Sequence, residues 1–161
     1  MTMIHAVLPT SLGRLLIATD GQALSGVWFE GQAHAPRTQD GMPQNDHPLL
    51  RQAANQIQAY LDGQPQAFEV PLSPSLGTPF QRQVWQEVTR IARGQVRTYT
   101  EIAQALGRPQ AVRAVGAAVG RNPWLLVVPC HRVVGRGGAL TGYAAGLARK
   151  QALLNMEGHL H

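Results

Sequence analysis

Two capping boxes, twenty residues apart, constrain this chain more than any other pattern in it. In Thr78-Pro79-Phe80-Gln81 a hydroxyl stands where a helix needs a cap and proline stands at the first helical position. Gln81 follows where its amide can reach back to the cap. Phe80, Val84, Val88 and Ile91 then recur at helical spacing, so a helix follows. Thr98-Tyr99-Thr100-Glu101 repeats the device. Ile102 and Leu106 give this second helix an apolar side, and Gly107 stops it. Gly107-Arg108-Pro109 reads as a turn, with Pro109 placed to open a further helix through about Gly120. Two helices joined in this way match a helix-turn-helix, a pattern shared with helical hairpins of no nucleic-acid function.

Upstream the composition changes. Ser73-Pro74-Ser75-Leu76-Gly77 reads as a linker, dividing the chain into residues 1–72, a linker over 73–77, and residues 78–161. In the first part Arg14–Thr19 is a strand, Asp20-Gly21 a turn, and Leu24–Phe29 the returning strand. Residues 31–46 read as a polar loop. Asp46 is placed to cap a helix from His47 to Leu61 with Leu50, Ala54, Ile57 and Leu61 on one face, ended by Gly63. Phe68–Leu72 is a further strand candidate. The fold class is α+β, and this part holds no functional constellation.

The second helix of the hairpin has an unusual surface. Ala111, Val112, Val115, Ala118 and Val119 share one side. The opposite side carries Gln110, Arg113, Gly116, Ala117 and Gly120. A solvated face would hold several Lys or Glu; this one has a single arginine. Small residues let a backbone approach another surface closely, whether a protein element or a nucleic-acid groove. The net charge of +5 and pI near 10.3 tilt the choice toward a polyanion. Arg113, a long cation on a smooth face, has the form of a wedge that enters a base stack.

Cys130 is the only cysteine, which excludes a disulfide framework and a Cys-rich zinc site. It follows the apolar run Leu125-Leu126-Val127-Val128 and Pro129, a pattern suited to a strand covered on both faces. Cys130 is thereby expected at the end of a buried strand. A free thiol is mostly protonated at neutral pH and needs a base to act as a nucleophile. His131 is the nearest one. Consecutive strand residues point to opposite faces, so a direct bond needs a turn at Pro129, and a bridging water removes the conflict. Glu157 is the candidate carboxylate to orient His131, with a solvated, fraying last-turn glutamate as the plain alternative. Asn122-Pro123 reads as a turn, whose asparagine can instead tie the hairpin to the cysteine segment. No basic and apolar leader opens the chain and no apolar stretch approaches ~18 residues, so a cytoplasmic protein with no membrane association is expected.

From Gly77 to Gly158 the chain resembles the O6-alkylguanine-DNA alkyltransferases. The resemblance is carried by Gly77-Thr78-Pro79-Phe80-Gln81-Arg82-Gln83-Val84-Trp85, Thr98-Tyr99, Arg113-Ala114-Val115-Gly116, Asn122-Pro123, Pro129-Cys130-His131-Arg132-Val133-Val134, Gly142-Tyr143, Gly146-Leu147 and Glu157-Gly158. It implies an N-terminal ribonuclease-H-like α/β subdomain without nuclease activity, followed by a mostly helical subdomain with the helix-turn-helix. It also implies irreversible, one-step transfer of an alkyl group, chiefly methyl, from O6 of guanine to Cys130, with O4 of thymine a further substrate to test.

The resemblance further implies His131 as a base acting through water, Glu157 as its orienting group and Asn122 as a brace. Tyr99, Val133, Tyr143, Ala144 and Ala145 would contact the substrate. Thr100, Gln110, Arg113, Ala114, Gly116 and Ala117 would meet the minor groove of double-stranded DNA. Neither a cofactor nor a metal is implied. The expected state is a monomer, with clustering on DNA left open. Ala144-Ala145 departs from the Ser-Gly common in the family. Ala144 brings no hydroxyl to O6, and Ala145 adds a methyl to the pocket wall.

Overall fold

The computed structural model describes residues 3–36, 42–43, 46–64 and 67–159. They form two compact units: Met1–Leu76 with Pro123–Val127, and Gly77–Asn122 with Val128–His161.

The first unit is a four-stranded sheet with one helix. Strands β1 (Ile4–Thr10), β2 (Gly13–Thr19), β3 (Leu24–Phe29) and β4 (Met42–Pro43) are ordered β3-β2-β1-β4. The first three run antiparallel, with Ala6 opposite Ile17 and Ile17 opposite Val27, and β4 lies parallel to β1. The predicted turn joins β2 to β3. The Asp20 carboxylate accepts from the backbone N–H groups of Gln22 and Ala23 at 2.8 and 2.9 Å, which also hold its pKa below the ordinary value. Leu15, Ile17, Val27 and Phe29 are fully buried and form the sheet's contribution to the core.

Four expectations for this unit are corrected. Residues 31–46 are not all loop, because β4 lies within them, while 37–41 and 44–45 fall outside the described residues. Helix α1 (Pro48–Leu61) is capped by His47, whose Nδ1 accepts from Leu49 N–H at 3.2 Å, rather than by Asp46. Its buried face is Leu50, Ala53, Ile57 and Tyr60, rotated from the expected one. Phe68–Leu72 makes no strand beyond an isolated bridge from Leu72 to Leu24. The second element within this unit that sequence reading left unassigned is β1 itself.

The second unit begins as the capping boxes require. Helix α2 (Pro79–Thr89) has Thr78 Oγ1 accepting from Gln81 N–H at 3.1 Å and Gln81 Oε1 accepting from Thr78 N–H at 2.9 Å. Trp85 is buried with its indole N–H on Ala118 O at 2.8 Å, and its ring lies against Gly77. A Cβ on Gly77 would come within 2.5 Å of that ring, and the residue's φ is +79°, so only glycine fits there. Strand β5 (Arg97–Thr98) leads into α3 (Tyr99–Ala105), which carries the second reciprocal cap between Thr98 and Glu101.

Helix α3 ends in a Schellman motif. Gly107 has φ +71°, its N–H reaches Gln104 O, and Arg108 N–H reaches Ala103 O. Pro109 does not open the next helix. It occupies the second position of a β-turn closed by Ala111 N–H to Arg108 O at 2.9 Å, and α4 runs from Val112 to Gly120. Proline is favoured both there and at a helix start, which is why the sequence alone misplaced it.

The run Leu125–Val128 is buried but is not a strand. Val127 N–H bonds to Leu125 O at 2.8 Å around Leu126, whose φ is +71°. Such two-residue closures turn the chain too sharply for a ladder. Strand β6 (Val133–Val134) pairs in parallel with β5, and α5 (Leu147–Met156) closes the unit.

Candidate active site

The cysteine sits at a turn, not at a strand end. Pro129 has φ −81° and ψ 64°, and Cys130 N–H bonds to Val128 O at 2.8 Å. This is an inverse γ-turn. A 3₁₀ turn over Cys130–Arg132 follows directly. The opposite-face rule for strands therefore does not apply to Cys130 and His131, and both are buried.

Burial pushes the Cys130 thiol up to about 11, against a lowering hydrogen bond from the Asn122 side chain and the charge of Lys150. The resting group is a neutral thiol. Asn122 is itself fixed by Nδ2–H donating to Val128 O at 2.9 Å. One amide thus holds two neighbours of the γ-turn, as the tie expected of it requires.

His131 is buried with Glu157. Its Nε2 lies 3.0 Å from Glu157 Oε2. Burial holds the imidazole below its ordinary pKa, although Glu157 pulls the other way. A neutral imidazole facing a carboxylate through Nε2 carries its proton there, which leaves the lone pair on Nδ1. Tyr143 packs edge-on against the ring, centroids 6.5 Å apart.

Glu157 does not fray. It is the C-cap of α5, followed by Gly158 at φ +86°. Gly158 N–H reaches Asn155 O and His159 N–H reaches Leu154 O, a second Schellman motif that locks the end of the helix. Arg132 completes the site and was not singled out in the sequence. Its Nε donates to Glu157 Oε1 at 2.9 Å and its Nη2 to Oε2 at 2.7 Å, while Nη1 donates to Ile91 O at 2.7 Å. A fork on a carboxylate is the arrangement that satisfies a buried negative charge. Its only sequence signal is adjacency to Cys130-His131.

A cavity of about 100 Å³ lies between α4 and the loop before α5. Tyr99, Gly116, Val119, Tyr143 and Ala144 line it, together with Gly120 and Gly142. Tyr99 donates through its hydroxyl to Thr141 O at 3.0 Å, and burial raises its pKa. A Cβ on Gly116 would stand 3.9 Å from the Tyr99 ring, in ordinary van der Waals contact. Ala145 is buried but does not line this cavity. Val133 is buried as well, and its N–H donates to Cys130 O, which retains one lone pair.

The remaining predicted residues lie outside that cluster. Thr100, Gln110, Arg113, Ala114 and Ala117 are exposed. Gln110 belongs to the turn rather than to α4, whose buried side is Val115, Ala118 and Val119. Among the described residues no group of three or more His, Cys, Asp or Glu is placed to hold a metal.

Comparison with known proteins decides the kinship. Residues 3–74 match the ribonuclease-like domain of 6-O-methylguanine DNA methyltransferase, and residues 79–159 match its DNA-binding domain. The chain belongs to the O6-alkylguanine-DNA alkyltransferase family. It is 42% identical over 156 residues to the methylated-DNA–protein-cysteine methyltransferase of Methanosarcina acetivorans, covering 97% of this chain and 99% of the relative. The crystal structure of the Mycobacterium tuberculosis O6-methylguanine methyltransferase superposes with a TM-score of 0.87 at 38% identity, covering 97% of this chain and 93% of that one. The same M. tuberculosis protein in complex with DNA gives 0.86 at 39% identity, over 96% and 92%. An alkyltransferase of this family performs direct-reversal repair, moving the alkyl group from O6 of guanine to a cysteine in a methylated-DNA–protein-cysteine methyltransferase reaction.

Proposed function

We propose that Cys130 is the acceptor and is consumed in a single reaction. The observation that carries this is a buried thiol, protonated at rest, adjoining a neutral histidine whose Nε2 is held by a carboxylate. The thiol proton passes through a water to Nδ1 of His131. The sulfur attacks the alkyl carbon in line, an S–C bond forms, and the C–O6 bond breaks with its electrons going to guanine. Guanine takes up a proton, so the net change is a thiol proton exchanged for an alkyl group. A thioether offers no carbonyl for water to attack, so the sulfur stays capped.

The proton path fits the charges. Glu157 stabilises the imidazolium that forms, and Arg132 keeps Glu157 ionised. Tyr99, Tyr143 and Ala144 hold the extruded base, whose amine reaches the carbonyls at Cys130 and Val133. Ala144 has no hydroxyl, so Tyr143 or backbone N–H groups serve O6.

The DNA face is the exposed side of α4. Arg113, Ala114 and Ala117 meet the minor groove, supported by Thr100, Gln110 and Gly116, and Arg113 fills the gap left by the extruded nucleotide. The alkyl carbon is shielded inside a duplex, which makes extrusion necessary. On this reading the protein acts as a cytoplasmic monomer on double-stranded DNA and needs no cofactor. The test is a comparison of Arg113→Ala with wild type on duplex and on free O6-methylguanine base. Duplex repair should fall at least tenfold and reaction with the free base should not change. An equal loss on both would remove Arg113 from the extrusion role.

A further inference from the structure

Residues 123–127 belong to the first unit, while Asn122 before them and Val128 after them belong to the second. Strand β3 stands at the edge of its sheet, where backbone groups need partners from elsewhere. This segment supplies them. Val27 N–H donates to Pro123 O at 2.8 Å, and Leu125 N–H donates to Val27 O at 3.1 Å. Between those bonds the buried Trp124 sends its indole N–H to Leu24 O at 2.7 Å. Leu24 O also accepts from Ser73 N–H at 3.0 Å, so it keeps a donor without the indole.

Beyond Leu125 the backbone is strained. Leu126 has φ +71°, and Val127 N–H closes on Leu125 O at 2.8 Å, the rare γ-turn of positive φ. Glycine takes that conformation freely; leucine takes it against its own Cβ, and only where the surroundings impose it. Here the Leu126 side chain is buried, the β3 edge holds the chain before it, and Asn122 Nδ2–H on Val128 O holds the chain after it. The inverse γ-turn at Pro129 then delivers Cys130. Five residues that could span about 17 Å when extended are folded into two of the tightest turns a chain can make.

We propose that Trp124 is a positioning residue for the transfer: its indole anchor on β3 holds Leu126 in the left-handed turn and so fixes where Pro129 presents the Cys130 sulfur. This rests on Cys130 being the acceptor. Without the anchor Leu126 relaxes out of the left-handed region, and the rotation passes to Val128, Pro129 and Cys130. Phenylalanine at position 124 keeps an aromatic ring but not the N–H. Glycine at position 126 takes the left-handed turn at no steric cost, so a chain with glycine there depends less on the anchor.

The test uses the full chain with Trp124→Phe, Leu126→Gly and the two together, beside Ile57→Val, which trims a fully buried side chain of α1. Single-turnover methyl transfer from duplex O6-methylguanine is resolved into DNA affinity and the first-order step, below the unfolding temperature of every variant. Trp124→Phe should lose at least fivefold in the first-order step with DNA affinity within twofold. Ile57→Val should keep the wild-type first-order step within twofold. In the Leu126→Gly background the loss caused by Trp124→Phe should shrink below twofold. A first-order step in Trp124→Phe that is unchanged, or slowed no more than in Ile57→Val, would overturn the proposal. So would a loss confined to DNA affinity. A fivefold loss that persists undiminished in the Leu126→Gly background would overturn the link through Leu126.

If Trp124→Phe fails to fold, the benzothienyl analogue of tryptophan placed at position 124 keeps the shape and lacks the N–H. The same fivefold loss is expected of it, and a wild-type first-order step would overturn the anchor. Failure of wild-type protein to take up methyl on Cys130 would instead strike the acceptor assignment on which the inference rests.

Discussion

Glu157 is the residue on which the site's electrostatics turn. It accepts from His131 and twice from Arg132 with no exposed side-chain surface. Removing one member of such a buried set leaves the others unmatched, so Glu157→Ala should destabilise the fold by about 3–5 kcal/mol, measured by urea unfolding. Glu157→Gln keeps the shape but not the charge, and it should slow methyl transfer at least tenfold while the thiol remains intact. His131 adds a pH dependence. Its folded pKa is depressed below the ordinary histidine value, mainly by burial. As pH falls through that value the unfolded chain binds a proton that the folded one refuses, so stability declines on acidification. The decline should be shallower in His131→Asn. Cys130, His131 and Glu157 were legible as a possible relay because their chemistry is local and specific. Arg132 was not, because an arginine in a sequence does not announce that folding will bury it.

At the level of elements, local signals transferred best. Both capping boxes form with the hydrogen bonds their residues dictate, and Thr98→Ala should cost about 1 kcal/mol of stability in thermal or urea unfolding. That change would also loosen the N-terminus of α3, where Tyr99 enters the cavity. Signals that fit two structures misled. Pro109 suits a turn as well as a helix start, and the turn won because Arg108 and Ala111 close it. The apolar run Leu125–Val128 suits a buried strand. Its backbone instead folds around Leu126 in a positive-φ conformation that no residue type in the run announces. The α1 face rotated by one position because tertiary packing selects Ala53 and Tyr60 over Ala54 and Leu61. Strand β1 (Ile4–Thr10) carries the β-formers Ile4, Val7 and Thr10 without the strict alternation that marks a strand in a sequence. The second Schellman motif, at Gly158, shows how one glycine converts a helix end into a rigid mount for Glu157.

Across the whole molecule, charge and stoichiometry are the readable properties. The chain carries +5 at neutral pH with almost all of its cations as arginine. Binding to undamaged duplex should therefore weaken steeply as salt rises, measured as the log–log slope of affinity against salt concentration. No helix among the described residues is long and apolar enough to cross a membrane. Since the thioether cannot be hydrolysed, repair capacity equals the number of molecules present. Intact-mass spectrometry of the full chain, mixed with excess duplex carrying O6-methylguanine, tests this most directly. The account predicts that every molecule gains the mass of one methylene, that the gain maps to Cys130, that repaired guanine equals protein mole for mole, and that Cys130→Ala gains nothing. Continued repair beyond one equivalent, or methyl transfer that survives Cys130→Ala, would contradict it.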